Sequence, residues 1–470
     1  MIKKLFSHTA IYGLAPQIAK LANFFVLPII TQDLTEIDFG VAGIMTAYTS
    51  AISVLALLGL RIILVNSFYK SPGQYKWAWR QIYGFLICWN FFYAALLGVL
   101  IFLVVPPEAL ENRWLIVFLN VAPLVIFGPT SNIGITYYQV NQKPVQIGIR
   151  TAILGILGVF LNLYFISYLK MGYMGWFWAA FIVGICSNFS YWYPINFILG
   201  FKPIFNFKWR LIKHSLKVSL PTVPHYYSGY LLNSSDKMVM DLLKVGTGDI
   251  GRYNVAYTVG NVVQQIGDAS GLAVGPMMME KYRKGDDLGA RNLIFTLQAL
   301  FLFGTFLLCI WLKEVFQFLI RNETMAMMYP LGIIIVMSYN YRPMYLGANN
   351  KLFYTEKTNV IWKVTFVAGL LNVALNLVLI PVFGFEVAAY TTFVSLMFMG
   401  YFGFYLKVFR EINSVNYYPV YWLSATIMFS VLAFYLVEFH FYYKVGISAM
   451  VVLVFAVLFL KFKEKLYGLS

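Results

Sequence analysis

Charge is scarce in this sequence, and negative charge is the scarcest. Asp, Glu, Lys and Arg make up 11% of the 470 residues, with 19 acids against 35 bases. A soluble domain carries roughly a quarter charged residues, so a water-exposed globular fold is excluded. Cysteine is nearly missing as well. Cys88, Cys186 and Cys309 fall in separate apolar runs, which leaves neither a disulfide framework nor a zinc-ligand set. The segments between apolar runs are short and hold no phosphate-binding P-loop, zinc-protease helix or nucleophile elbow. Neither ATP-driven transport within this chain nor a loop-borne catalytic domain has a basis here.

What the chain has instead is hydrophobicity, 60% of its residues. Apolar runs of about 20 residues recur along it, each long enough to cross a hydrocarbon core of roughly 30 Å as a helix. Lipid offers the backbone no hydrogen bonds, so helices are the expected element. Spans are read near 9–31, 39–62, 81–105, 114–137, 148–169, 174–198, 215–240, 250–276, 292–312, 325–346, 359–382, 386–408, 418–437 and 444–460. The expected fold is thus an all-α polytopic membrane protein of about 14 transmembrane helices. The span 250–276 is the most polar and leaves the count between 12 and 14. Gln17 and Lys20 make the first run too polar for a cleaved signal peptide, so it is expected to stay as helix one. Lys and Arg gather in alternate connections, at 70–80, 143–150, 201–217, 281–291, 351–357, 407–410 and 461–465. Basic loops stay cytoplasmic, so both termini are predicted on the cytoplasmic side of a bacterial inner membrane. The net charge of +16 then reads as a topology signal and not as a nucleic-acid surface.

Internal repetition follows the same order. Asp38-Phe39-Gly40 opens the second span and Asp249-Ile250-Gly251 the eighth, 211 positions later; Leu161-Asn162-Leu163 recurs as Leu375-Asn376-Leu377 at an offset of 214. Both matches pair helix n with helix n+6, as in transporters built from parallel repeats. The expected organisation is an N-terminal six-helix lobe over 1–200, a basic cytoplasmic linker over 201–217, a C-terminal six-helix lobe over 218–410, and two appended helices over 411–470. A pseudo-twofold along the membrane normal relates the lobes.

The segment Asn233-Ser234-Ser235-Asp236-Lys237, followed by Gly248-Asp249-Ile250-Gly251-Arg252-Tyr253 and Ala256-Tyr257, resembles the seventh-to-eighth helix signature of polysaccharide flippases. Thr35 to Gly40 and the Asn-Leu repeats before Gly384 are similar to that family too. It sits in the multidrug, oligosaccharidyl-lipid and polysaccharide exporter superfamily. The resemblance implies two six-helix bundles, a central cavity, alternating access and a lipid-linked oligosaccharide substrate. Glycan polymerase machinery and membrane lipids are the partners it suggests. Fourteen spans are more like the lipid II flippases of the same superfamily, and both substrates stay open.

Charges inside spans are costly and therefore become site candidates. Lys20 lies near the middle of the first span, with Gln17 and Asn23 on the same helical stripe. Arg61, Arg342 and Lys363 lie near predicted cytoplasmic ends, where snorkelling explains them equally well; Lys237 and Arg252 lie at the external end. Facing inward, these six cations form a ladder suited to pyrophosphate. Tyr226 and Tyr227 follow the helix-interrupting Pro221 and Pro224 and are candidates for sugar contact, although most of the 34 tyrosines must serve packing or interfacial belts. Asp236 and Asp268 are the candidates for coupling transport to a proton or sodium ion; a local ion pair and a buried polar network are their plainer readings. No organic cofactor or metal is expected. A cation-coupled drug exporter needs acids in its cavity, and the first six spans contain none. A membrane glycosyltransferase or polymerase needs a large catalytic loop, and every loop is short.

Overall fold

The computed structural model describes residue 22 and residues 24–467, with side chains left aside at 225, 358 and 458–467. Every regular element in that range is helical. The chain divides into two compact units. Unit 1 comprises Met1–Tyr230 with Gly246–Gly251; unit 2 comprises Leu231–Val245 with Arg252–Ser470.

Unit 1 is built from α1 (Glu36–Ser53), α2 (Arg61–Lys70), α3 (Tyr75–Val104), α4 (Arg113–Phe127), α5 (Thr130–Val140), α6 (Pro144–Asn162), α7 (Tyr173–Tyr193), α8 (Trp209–Ser219) and most of α9 (Val223–Asn233). α1 starts at a full capping box: the Thr35 hydroxyl accepts from the Asp38 amide, and the Asp38 carboxylate accepts from the Thr35 amide at 2.7 Å. Orphan amides of the first turn are thereby satisfied. The other Asp38 oxygen accepts from the Tyr173 amide at 2.7 Å, which ties α1 to the turn before α7.

The second predicted span is not one rod. After Ala56 the chain turns through Leu58 (φ 49°) and Gly59 (φ 70°) before α2 begins. A side chain on Gly59 would meet the Ser219 carbonyl oxygen at 2.6 Å, so glycine is required there. The fourth span breaks likewise at Gly128 (φ 57°) and Pro129, between α4 and α5. α6 and α7 each end in a π-helical turn, Leu163–Tyr168 and Pro194–Ile198. Two apolar clusters hold the unit. One gathers Trp79, Ile82, Tyr83, Leu86, Tyr137 and Phe201; the other gathers Val41, Met45, Leu97, Ile101, Ile116 and Met174.

Unit 2 contains α10 (Ser235–Leu242), most of α11 (Thr247–Arg283), α12 (Asp287–Ile310), α13 (Leu312–Leu319), α14 (Tyr329–Ser338), α15 (Tyr341–Tyr354), α16 (Ile361–Phe383), α17 (Val387–Tyr401), α18 (Pro419–Leu436) and α19 (Phe441–Tyr467). The predicted span 325–346 breaks between α14 and α15, at Tyr339 and Asn340. α12 supplies the missing hydrogen bonds: Gln298 donates to the Asn340 carbonyl at 3.1 Å, and Asn340 donates to the Thr305 hydroxyl at 2.8 Å. The side-chain amide oxygens of Gln298 and Asn340 are buried there without a partner, so the break is only partly repaired. The last two helices pack on α12. α19 is fastened to α13 by Lys444, 1% exposed, whose ammonium is 2.6 Å from Glu314.

Among the described residues, eight helical segments are long and apolar enough to cross a membrane, with Glu36–Lys70 counted as one through its break. Several other predicted spans are present as apolar helices with breaks, and 250–276 lies inside the single long α11. The protein is an all-helical multi-pass membrane protein.

Candidate functional site

The polar centre of unit 2 is Asp236, 2% exposed in the first turn of α10. Two α11 tyrosines one turn apart, Tyr253 and Tyr257, donate to the same carboxylate oxygen at 2.5 and 3.0 Å. The second oxygen accepts from the Lys237 amide at 2.9 Å. Beyond the carboxylate the network continues across two more helices. The Tyr257 hydroxyl lies 3.5 Å from Thr392 of α17, to which Asn372 of α16 donates at 3.2 Å. Asn376 donates to Asn372 at 3.3 Å and accepts from Thr391. Ser235 donates to the Leu231 carbonyl at 2.5 Å.

Lys237 does not close on this carboxylate. Its ammonium lies 5.1 Å from the centre of the Tyr257 ring, a cation–π contact. Asp236 is thus held by hydroxyl and amide donors, so the neighbouring Asp and Lys of the sequence are not a simple ion pair. Among the described residues no group of three or more His, Cys, Asp or Glu side chains is placed to hold a metal ion.

A second polar feature of unit 2 joins two candidates that the sequence treats separately. Arg342, at the start of α15, pairs with Asp268 of α11 at 2.6 Å. Gly267 and Gly271 flank Asp268 and leave room for the arginine; a Cβ on Gly267 would stand 3.3 Å from the Arg342 Cγ. The guanidinium is not saturated. One terminal nitrogen reaches only the Tyr341 hydroxyl, at 3.4 Å, and Nε has no hydrogen-bond partner. Asp268 is half exposed, 56% against 2% for Asp236, so of the two acids Asp236 is the enclosed one.

The remaining candidates are dispersed. In unit 1, Arg61 is exposed at the first position of α2 and donates to the Gln139 amide oxygen of α5 at 2.6 Å. Tyr226 is exposed on α9, and Tyr227 is half-buried with its ring edge-on to Tyr230 at 6.3 Å. Pro221 sits in the short 3-10 turn that joins α8 to α9, where the sequence places an interruption. In unit 2, Arg252 is half-buried on α11 and Lys363 is exposed in the first turn of α16. Lys20, Gln17 and Asn23 lie outside the described residues.

Sequence reading misses Asn372, Asn376, Thr391 and Thr392 as partners of Asp236. The available signal is a pair of asparagines four positions apart in the largely apolar α16, which places both amides on one helical face.

The family described as Polysaccharide biosynthesis protein matches residues 5–281. No curated protein matches the chain in sequence. Among solved structures, the lipid II flippase MurJ in an inward closed conformation is similar with a TM-score of 0.70 at 14% identity, covering 96% of this chain and 98% of that one. An inward-facing multidrug resistance MATE family transporter of the MOP superfamily gives 0.60 at 12% identity, covering 90% and 95%. The eukaryotic MATE transporter AtDTX14 gives 0.55 at 12% identity, covering 92% and 99%. At such identities the likeness is one of fold.

Proposed function

The chain belongs to the polysaccharide biosynthesis protein family, and from that premise we propose that it is a flippase for a polyprenyl-pyrophosphate-linked oligosaccharide. It carries an O-antigen, capsule or exopolysaccharide repeat unit from the cytoplasmic to the external leaflet of a bacterial inner membrane, with both termini cytoplasmic. Two six-helix lobes, 1–200 and 218–410, work by alternating access around the 201–217 linker, with 411–470 appended. The observation that carries this reading is the charge of the N-terminal helices. No Asp or Glu occurs between Asp38 and Glu108 or between Glu111 and Asp236. Such a path suits an anionic headgroup and is poor for an organic cation.

Arg61 and Arg342 are the cations we assign to pyrophosphate first, because guanidinium geometry matches phosphate oxygens. Lys20, Lys237, Arg252 and Lys363, with Gln17 and Asn23, complete the proposed path, and Tyr226 and Tyr227 stack on sugars. Moving a dianion out of a negative-inside cell releases roughly 4 to 5 kcal/mol at 100 mV, at about 2.3 per charge. Coupling to a proton or sodium ion at Asp236, with Asp268 as the alternative, supplements that drive. A second reading is a lipid II flippase, favoured by the fold likeness to MurJ.

Proteoliposomes loaded with labelled lipid-linked oligosaccharide or with lipid II decide between them. Headgroup exposure to a membrane-impermeant lectin or enzyme is the readout. Transport of the oligosaccharide, lost in Arg61→Ala and Arg342→Ala at normal membrane levels, is expected. Transport of lipid II alone establishes the second reading. Normal surface glycan in cells lacking the protein overturns the first.

A further inference from the structure

Unit 1 has a recess that none of the candidate residues above line. It holds about 390 Å3 and lies between α3, the end of α4 and the π turn that closes α7, with Tyr83, Ile87, Val125, Ile126, Asn196 and Lys202 among its walls. Two backbone irregularities open it. Gly128 adopts a positive φ at the end of α4, its Cα side 3.3 Å from Ile87 measured to an added Cβ. The π turn Pro194–Ile198 then swings the chain aside before the basic segment begins.

The recess is graded in polarity. Val125 and Ile126, on the predicted fourth span, and the neighbouring Phe197 and Phe205 are exposed apolar side chains. At its floor the Tyr83 hydroxyl is 2.6 Å from Thr130, and buried Asn196 donates to Tyr83 at 3.4 Å and to the Trp192 carbonyl at 2.9 Å. At its rim stands Lys202, whose ammonium lies 5.5 Å from the Phe197 ring centre. Arg80 donates to the Lys202 carbonyl at 2.8 Å, and the Lys76 ammonium lies 5.8 Å from the adjoining Phe201 ring. Among the described residues none of these three cations pairs with a carboxylate. The recess opens at the surface, and a ligand that fits it is apolar along its length and negative at one end.

We propose that this recess binds an anionic phospholipid. An acyl chain lies along Ile87, Val125 and Ile126, and the phosphate is held by Lys202 with Arg80 and Lys76 behind it. The site is independent of the transported substrate.

The test uses purified full-length protein in detergent, titrated with phosphatidylglycerol or phosphatidylcholine and read by native mass spectrometry. Wild type is expected to retain phosphatidylglycerol over phosphatidylcholine. One interfacial lysine contributes about 1 kcal/mol toward an anionic headgroup, so Lys202→Ala is expected to weaken retention about fivefold. Lys202→Arg restores it, and Val125→Trp fills the recess and displaces the lipid. Lys143→Ala, in the turn between α5 and α6, leaves retention unchanged. Equal retention of the two lipids, an equal effect of Lys143→Ala, or a Lys202→Ala protein that binds like wild type overturns the proposal. Should Val125→Trp not fold, the Lys202→Ala and Lys202→Arg pair decides alone.

Discussion

Gly251 of α11 lies directly on the backbone of α1: a Cβ added to it would stand 1.8 Å from the carbonyl oxygen of Glu36. The contact is reciprocal, since a Cβ on Gly40 would stand 2.0 Å from the carbonyl oxygen of Thr247. Glu36 and Thr247 are 211 positions apart, and so are Gly40 and Gly251. The two copies of the Asp-x-Gly repeat therefore meet each other, each glycine receiving the first turn of the other helix.

Gly251→Ala is accordingly expected to lower the melting temperature of the solubilised protein, because overpacking typically costs 1–3 kcal/mol, with about 2 as the central figure. Gly248→Ala, three residues earlier, meets only the Glu36 Cβ at 3.8 Å and should melt like wild type. Equal melting of the two variants would remove the crossing from the account.

Asp236→Asn keeps the shape of the Asp236 side chain and removes its charge. The expected outcome is a folded protein that reaches the membrane and loses the proton or sodium dependence of transport. Tyr253→Phe removes one of the two hydroxyl donors from the buried carboxylate and is expected to destabilise the fold by about 1–3 kcal/mol. Thermal melting combined with transport at varied pH and sodium reads both effects. Transport by Asp236→Asn with its ion dependence intact would move the coupling elsewhere.

Asp268→Asn tests that alternative. Because Asp268 is half exposed and paired with Arg342, its loss is expected to preserve ion dependence. Arg342→Ala is expected to cut transport about tenfold or more, as charge-assisted hydrogen bonds contribute about 1.5–3 kcal/mol. Arg342→Lys should recover only part of it, since an ammonium lacks the fork. Initial rates of oligosaccharide flipping measure all three.

Asp286 precedes α12 outside the membrane-spanning segments and caps it, accepting from the Gly289 amide at 2.7 Å and from Lys281 at 2.8 Å. The Lys281 hydrogen bond, then the Gly289 amide, hold its carboxyl below the ordinary value. A lowered folded value means the contribution is complete above the unfolded aspartate value of about 4 and fades as pH falls through the folded one. Asp286→Ala should cost about 1 kcal/mol at neutral pH and nothing once both proteins are acidified. Melting curves from neutral to acid pH check the convergence.

Helix content, membrane class and the two Asp-x-Gly helix starts are legible in the sequence because each rests on local pattern: apolar length, a capping box, a repeated triplet. The breaks at Gly59, Gly128 and Asn340 are not, since continuous apolar runs hide them. At the last of these the carbonyl of Asn340 accepts from Gln298, a residue distant in sequence. The same limit applies to the site. Asp236 stands out as a charge in a span, whereas the polar residues connected to it are ordinary Asn and Thr on α16 and α17. Arg342 and Asp268 are each visible alone, but their pairing depends on how α15 crosses α11.

The long acid-free stretch after Glu111 also bears on how the chain is made. Basic connections are retained on the side of synthesis; after Glu111 they lie at 143–150 and 201–217, against the single Lys170 between them. On that rule the helices from α4 to α9 would take their orientation from their own lysines and arginines, before Asp236 is translated.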